Sequence, residues 1–194
     1  MLFRSDMLRA QGMGGASGFE VANLRSQQAA GQDQSQHLGD AAGWMSYLRT
    51  VDRQSTMEAT GGYRSTRARL VPSAADTPVM ASQRRSLSTF TAATRYTRII
   101  GAQSIRAGAD LQRFPVREHF TMAITTPGFN VPGTDGFNPE LLRHDLTRGG
   151  GPFIFDAGAA GHMVSGFAQS TIRLTSATFA VGMRYDRSEE HTSE

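Results

Sequence analysis

Ala177-Thr178-Phe179-Ala180-Val181-Gly182-Met183-Arg184-Tyr185-Asp186 changes character at every step. Ala177, Phe179, Val181, Met183 and Tyr185 are apolar, while Thr178, Ala180, Gly182, Arg184 and Asp186 are small or polar. Successive side chains of an extended chain point to opposite sides, so this spacing predicts a strand with two unlike faces. The preceding segment repeats the arrangement. Val164, Gly166, Ala168, Ile172 and Leu174 share one face, with Ser170 among them, against Ser165, Gln169, Thr171 and Arg173. Thr175-Ser176 supply a short turn, so the two segments read as a hairpin.

Working upstream, Ile105, Ala107, Ala109 and Leu111 alternate with Ser104, Arg106, Gly108, Asp110 and Gln112. From Phe114 the parity reverses, and Val116, Phe120, Met122 and Ile124 become the apolar set. That reversal implies either a bulge near Arg113 or a change of surroundings there. Phe90, Ala92 and Tyr96 oppose Thr89, Thr91, Arg95 and Thr97; Met57, Ala59 and Tyr63 oppose Thr56, Glu58, Thr60 and Arg64. Residues 38–49 and the short segment 19–24 complete a set of seven predicted strands. No segment keeps helical spacing for more than three turns. Short connections are expected near Asp52, at Ile99-Ile100-Gly101 and at Thr175-Ser176, and long ones at residues 72–82 and 126–151. The second long connection holds Pro127, Pro132 and Pro139, which favours irregular backbone.

The surroundings of the apolar face decide the fold class. The chain has 194 residues, 20 basic and 17 acidic side chains, 39% hydrophobic and 19% charged residues, and 21 Gly. In a soluble sandwich, bulky Val, Ile, Leu and Phe fill the inner faces; here those positions are too often Ala, Gly or Ser. Lipid against the apolar face imposes no tight packing, and a barrel interior tolerates charge on the other face. The expectation is therefore all-β: an antiparallel up-and-down transmembrane β-barrel segment of about seven strands, an incomplete barrel. Ile105, Ala107, Ala109, Leu111, Phe179, Val181, Met183 and Tyr185 are the expected lipid-facing residues, and Arg106, Asp110, Gln169, Arg173 and Arg184 the lumen-facing ones. A strand of roughly nine to eleven residues crosses a bilayer when tilted, and residues 86–98 and 104–124 exceed that, so an extension above the membrane is expected. Tyr47, Tyr63, Tyr96 and Tyr185 each lie near a strand end, where a headgroup boundary and an ordinary surface are both open readings. Trp44 reads as a sheet-facing apolar residue.

Two stretches resemble a known family. Ala102-Gln103-Ser104-Ile105-Arg106-Ala107-Gly108-Ala109-Asp110, and Gly166-Phe167-Ala168-Gln169-Ser170 followed by residues 178–186, are similar to barrel strands of TonB-dependent outer-membrane receptors. The Gly182-Met183-Arg184-Tyr185-Asp186 ending is the most specific part, and Ser170 departs from the family's usual Asp. The resemblance implies a cell outer-membrane location and a barrel of roughly 22 strands closed by a plug. It implies uptake of a scarce ligand of the siderophore, cobalamin or oligosaccharide class. The partners it implies are outer-membrane lipid, the transported small ligand and an inner-membrane energy-coupling protein that acts through an N-terminal region with no match here. Residues 1–5 and 187–194 resemble translated sequencing adapters, which leaves residues 6–186 as a piece of barrel not expected to transport alone. Natural disordered ends are the alternative for both strings. Unpaired edges on such a piece would invite aggregation.

Other chemistry finds little support. All 20 basic residues are Arg, so a Lys-bearing phosphate loop is excluded, and with no Cys there is neither a disulfide nor a thiolate site. The pI near 9.9 reflects that usage, and no nucleic-acid partner is expected. His37, His119, His144 and His162 are scattered, so no metal or cofactor site is expected, although His144-Asp145 could touch a ligand. Ser165 lies in an alternating strand and not in a nucleophile turn. Asp110 and Glu118 share a face but nothing in their spacing brings them together, and no catalysis is expected. Arg64, Arg67, Arg69, Arg84 and Arg85 bracket a loop, as a solvated rim or as an attractor of anionic ligand or lipid phosphates. The competing readings are a soluble, secreted β-sandwich binding module and a passive porin.

Overall fold

A computed structural model describes residues 5–21 and 24–193 of the chain, with side chains described as far as residue 190. Residues 1–4 and 194 of the two terminal strings, and residues 22–23 of the segment 19–24, lie outside the described residues.

The described residues form one antiparallel sheet in chain order. Its strands are β1 (Asp6–Glu20), β2 (Ser35–Thr50), β3 (Ser55–Val71), β4 (Val79–Ile100), β5 (Gln103–Ile124), β6 (Phe153–Arg173) and β7 (Thr178–Ser193). β1 and β7 each have one neighbour and do not pair with each other, so the sheet is open. The all-β incomplete barrel read from alternation is the observed architecture. The strands are longer than the sequence pattern delimits, because alternation marks only the stretch where the two faces meet unlike surroundings.

The first strand is the clearest difference. It occupies Asp6–Glu20, and the segment 19–24 contributes only its end. Beyond Leu8, one face of β1 is Ala10, Gly12, Gly14, Ala16 and Gly18, whose small side chains leave almost no hydropathy contrast. A single helical turn, α1 (Arg25–Ala29), follows it.

Connections alternate in length. Residues 51–54, 101–102 and 174–177 are tight, and the long connections that follow β1, β3 and β5 lie at the opposite end of the strands. β4 begins at Val79, so the connection after β3 is shorter than residues 72–82, and Ile99 and Ile100 belong to β4 itself. The longest loop is less irregular than its prolines suggest, carrying 3-10 helices at Pro139–His144 and Leu146–Arg148.

No bulge interrupts β5. Its pairing keeps one register from Ile100↔Gln103 to Val79↔Ile124 on one side and from Gln103↔Ile172 to Met122↔Phe153 on the other. Phe114, Val116, Phe120 and Met122 therefore share the face of Arg106 and Asp110, and the parity reversal is a change of surroundings. At its far end β5 meets the long loop, where Ile124 bridges to Asp145. The Phe120 and Phe153 rings lie 6.3 Å apart, and His144 sets its ring edge-on to Phe153 at 5.4 Å. Ala123 and Ile124 are buried beneath this loop. Apart from Ala42, they are the only buried apolar residues among those described, so the sheet has no hydrophobic core of its own.

Candidate functional site

Residues directly opposite each other in an antiparallel ladder share a face, so the registers assign every strand residue to one of two surfaces. On the first lie Leu8 and Ala10 of β1; Ala41, Gly43, Met45 and Tyr47 of β2; and Met57, Ala59, Gly61 and Tyr63 of β3. The same surface continues through Phe90, Ala92, Thr94 and Tyr96 of β4 and Ile105, Ala107, Ala109 and Leu111 of β5. It ends on Val164, Gly166, Ala168, Ser170 and Ile172 of β6 and Phe179, Val181, Met183 and Tyr185 of β7. No charged residue interrupts this band. All eight residues expected to face lipid lie on it.

Its boundaries are sharp. Arg98 and Ser88 bound it on β4, and Gln103 and Arg113 on β5. Ten residues at about 3.3 Å each, tilted by about 40°, span roughly 25 Å. The band also runs obliquely. Its lower edge stands at Asp6 on β1; that ladder row reaches β5 at Ala107, four residues from Gln103, the edge there. Four residues along the strands against four strand spacings across correspond to a slope of roughly 35°. The upper edge, from His37 on β2 to Arg187 on β7, falls more steeply. Its row reaches β6 at Asp156, eight residues from Val164, the partner of Arg187. That is a slope of roughly 48°. Strands of outer-membrane barrels tilt by about 35–45°.

Tyrosines mark these edges. Tyr47 is the last band residue before Arg49, Tyr96 before Arg98, Tyr63 before Ser65 and Tyr185 before Arg187. Two stand at each edge. The Tyr96 hydroxyl donates to Ser55 Oγ at 3.2 Å, and the Tyr63 hydroxyl lies 3.2 Å from Ser88 Oγ. Each ring thus keeps its body in the band and its polar tip at the border.

The second surface is polar over the same span. Arg106, Asp110, Gln169 and Arg184 surround one groove, joined by Arg95, Phe167 and Gly182. Arg173 shares this surface but sits at the end of β6, opposite Thr178, away from the groove. Within it, buried Ser165 donates to Asp110 Oδ2 at 3.2 Å and accepts from Arg184 Nη2 at 3.3 Å. Arg184 Nε also donates to Asp186 at 2.9 Å. The Phe167 ring lies over Gly108, where an added Cβ would stand 2.6 Å from Phe167 Cε1 and 2.5 Å from the Thr94 carbonyl oxygen. Only glycine leaves room for that ring. Trp44 also lies on this polar surface, packed over Gly62, and not on the apolar face where its hydropathy would place it.

Several chemical possibilities are settled by this geometry. Asp110 and Glu118 share the polar face, but eight residues of extended strand, about 26 Å, separate them. Glu118 accepts from Arg85 Nη2 at 3.0 Å and from Gln83, and these two donors, Arg85 first, hold its carboxyl below the usual carboxylate range. Asp145 is wholly buried within the loop; it accepts from the Thr147 backbone N–H at 2.9 Å and pairs with Arg148 at 3.2 Å. Its role is to fold the loop, so the sequence pair His144-Asp145 offers no carboxylate to a ligand. Among the described residues no group of three or more His, Asp or Glu is placed to hold a metal ion. The described residues include no helix long and apolar enough to cross a membrane, which bears on helices alone.

A seven-stranded antiparallel sheet with a tilted apolar band and a polar reverse has the form of an incomplete β-barrel wall, and solved receptor and transporter structures share the fold. The ferric citrate transporter FecA in its unliganded form aligns over 82% of this chain with a TM-score of 0.51 and 13% identity. BauA, the ferric preacinetobactin receptor from Acinetobacter baumannii, aligns over 82% with a TM-score of 0.52 and 13% identity. This chain spans 22% of the first and 26% of the second, and at such identity the likeness is one of fold. No protein-family model and no curated protein sequence matches the chain.

Proposed function

We propose that this chain forms part of the barrel wall of a TonB-dependent receptor that takes up a scarce ligand across the outer membrane. The observation that carries the reading is the oblique, charge-free band edged by four tyrosines. Its thickness, tilt and aromatic borders are those that a hydrocarbon layer imposes on a barrel. The arginine- and carboxylate-bearing reverse face then lines the lumen, with Arg95, Arg106, Asp110, Gln169 and Arg184 at its most recessed part, and Arg173 near the short-turn end. Siderophore, cobalamin or oligosaccharide is the ligand class, and energy comes from an inner-membrane partner that engages the receptor outside the strands described above. The wall contributes shape and charge to passage and carries no catalytic step.

A sandwich would need a second layer over the apolar band, but Phe179, Val181, Met183 and Tyr185 are 60–76% exposed on a single sheet. The native chain has no Cys, which makes site-directed labelling direct. Single cysteines at Leu111 and Met183, and at Gln112 and Gln169, would carry an environment-sensitive fluorophore in chain refolded into phosphatidylcholine vesicles. Brominated acyl chains should quench the first pair, and aqueous iodide the second. Equal quenching of both pairs, or a chain that stays in buffer beside the vesicles, overturns the proposal.

A further inference from the structure

Beyond the upper edge of the band, the same outward surface becomes strongly basic. Arg67 and Arg69 of β3, Arg84 of β4, and Arg113 and Arg117 of β5 all point outward there, as the registers Arg69↔Arg84, Arg67↔Ser86 and Ser86↔Arg117 require. Arg64 and Arg85, which look continuous with them in sequence, belong to the opposite face, where Asp40 and Glu118 neutralise them at 2.9 and 3.0 Å. No carboxylate pairs with Arg67, Arg69, Arg84, Arg113 or Arg117 among the described residues. Arg84 also stands between Arg69 and His119, and His119 carries the one nearby acid, Asp156 at 3.1 Å. Like charges directly opposite on adjacent strands are destabilising, so this arrangement calls for an external anion.

Position identifies the anion. Each of the five arginines lies within four residues of the first polar residue bounding the band on its strand, roughly 10 Å or less above the hydrocarbon edge at a 40° tilt. Arginine stems can bend toward that edge and place guanidinium groups at headgroup depth. The rim is at the end that carries the long connections, the extracellular end of outer-membrane barrels. Planar guanidinium groups on neighbouring strands offer bidentate sites to phosphate oxygens.

We propose that Arg67, Arg69, Arg84, Arg113 and Arg117 form a binding site for the phosphate groups of a phosphorylated lipid in the outer leaflet. The inference rests on the membrane reading above, and its test separates the two. The full chain, refolded in detergent micelles, is titrated with lipid A, and bound lipid is counted by native mass spectrometry. The double variant Arg69→Gln/Arg84→Gln should bind lipid A about 30-fold more weakly, at roughly fivefold for each arginine near a charged lipid surface. Arg64→Gln/Arg85→Gln, which removes equal charge from the opposite face at the same height, should bind as the parent does. Equal loss in both double variants, or none in either, overturns the site. Displacement of lipid A by an equal concentration of inorganic phosphate also overturns it, since the rim would then be a site for the free ion. A chain that inserts with the expected quenching pattern but ignores lipid A loses this inference alone; a chain that does not insert loses both.

Discussion

Replacing Ala109 with arginine puts a number on the central claim. Ala109 lies on the band between Thr94 and Gly166, six residues from Gln103 and four from Arg113, and its side chain is exposed. One residue from the middle of a tilted crossing is about 2.5 Å from the midplane. In water, a charge at an exposed position changes stability by no more than about 0.5 kcal/mol. At the middle of a bilayer, arginine on the lipid face of a barrel costs about 2–4 kcal/mol, a roughly 30- to 700-fold drop in the folded-to-unfolded ratio. The control is Ala93→Arg, the same exchange on the other face, between Thr60 and Asp110; there it should cost under about 0.5 kcal/mol. Urea titration of chain in phosphatidylcholine vesicles, followed by the fluorescence of the single tryptophan, Trp44, measures both. Equal midpoints for the two variants would refute the assignment of the band to lipid.

Two further outcomes follow from the local geometry. Gly108→Ala should cost about 1–3 kcal/mol because the new methyl group meets the fixed Thr94 carbonyl oxygen, while Gly15→Ala, with nothing within 4 Å, should change stability by under about 0.5 kcal/mol; equal urea midpoints would disprove the crowding. In the turn between β2 and β3, outside the band, the Gln54 backbone N–H donates to Asp52 at 2.8 Å and is the main reason its carboxyl sits below the ordinary value. A lowered folded pKa stabilises the turn above the unfolded value and is lost as pH falls through the folded one. Protection of the Gln54 amide from hydrogen exchange should therefore fall on acidification, and Asp52→Asn should remove that dependence; an unchanged profile in the variant would count against it.

Alternation alone located β2 to β7 and sorted their faces, because in each the two sides differ in polarity. It could not find most of β1, whose Gly and Ala face carries no contrast, nor distinguish a bulge from a change of surroundings at Arg113. Register was the missing quantity: period two says which residues share a side of one strand, while pairing says which neighbours they meet. Hence Arg64 and Arg85 read as one cluster with Arg67, Arg69 and Arg84 until the ladder separated them. The tyrosine borders were visible as four rings near strand ends, but that they stand two at each edge of one band depends on six registers. The groove was half legible. Arg106, Asp110, Gln169 and Arg184 were picked out as polar residues in mid-strand, whereas Arg95, Ser165 and Phe167 join them only through the pairing of β4, β5 and β6.

The open sheet places a condition on the lipid assignment. Over about ten residues of crossing, an edge strand directs every second residue's N–H and C=O away from its one partner, about ten polar groups for each of β1 and β7. Each unsatisfied group in hydrocarbon costs several kcal/mol. Both edges together would exceed the roughly 5–15 kcal/mol that holds a whole domain folded. The band can therefore face lipid only where further strands cover β1 and β7; in vesicles of the refolded chain these are strands of other copies pairing edge to edge. Strands tilted by about 40° meet that requirement by closing on themselves. Closure in turn encloses the face bearing Arg95, Arg106, Asp110 and Arg184. Its charges, which would be intolerable against lipid, then line an interior open to water and to a small solute, so the apolar band and the polar groove are two consequences of one closed wall.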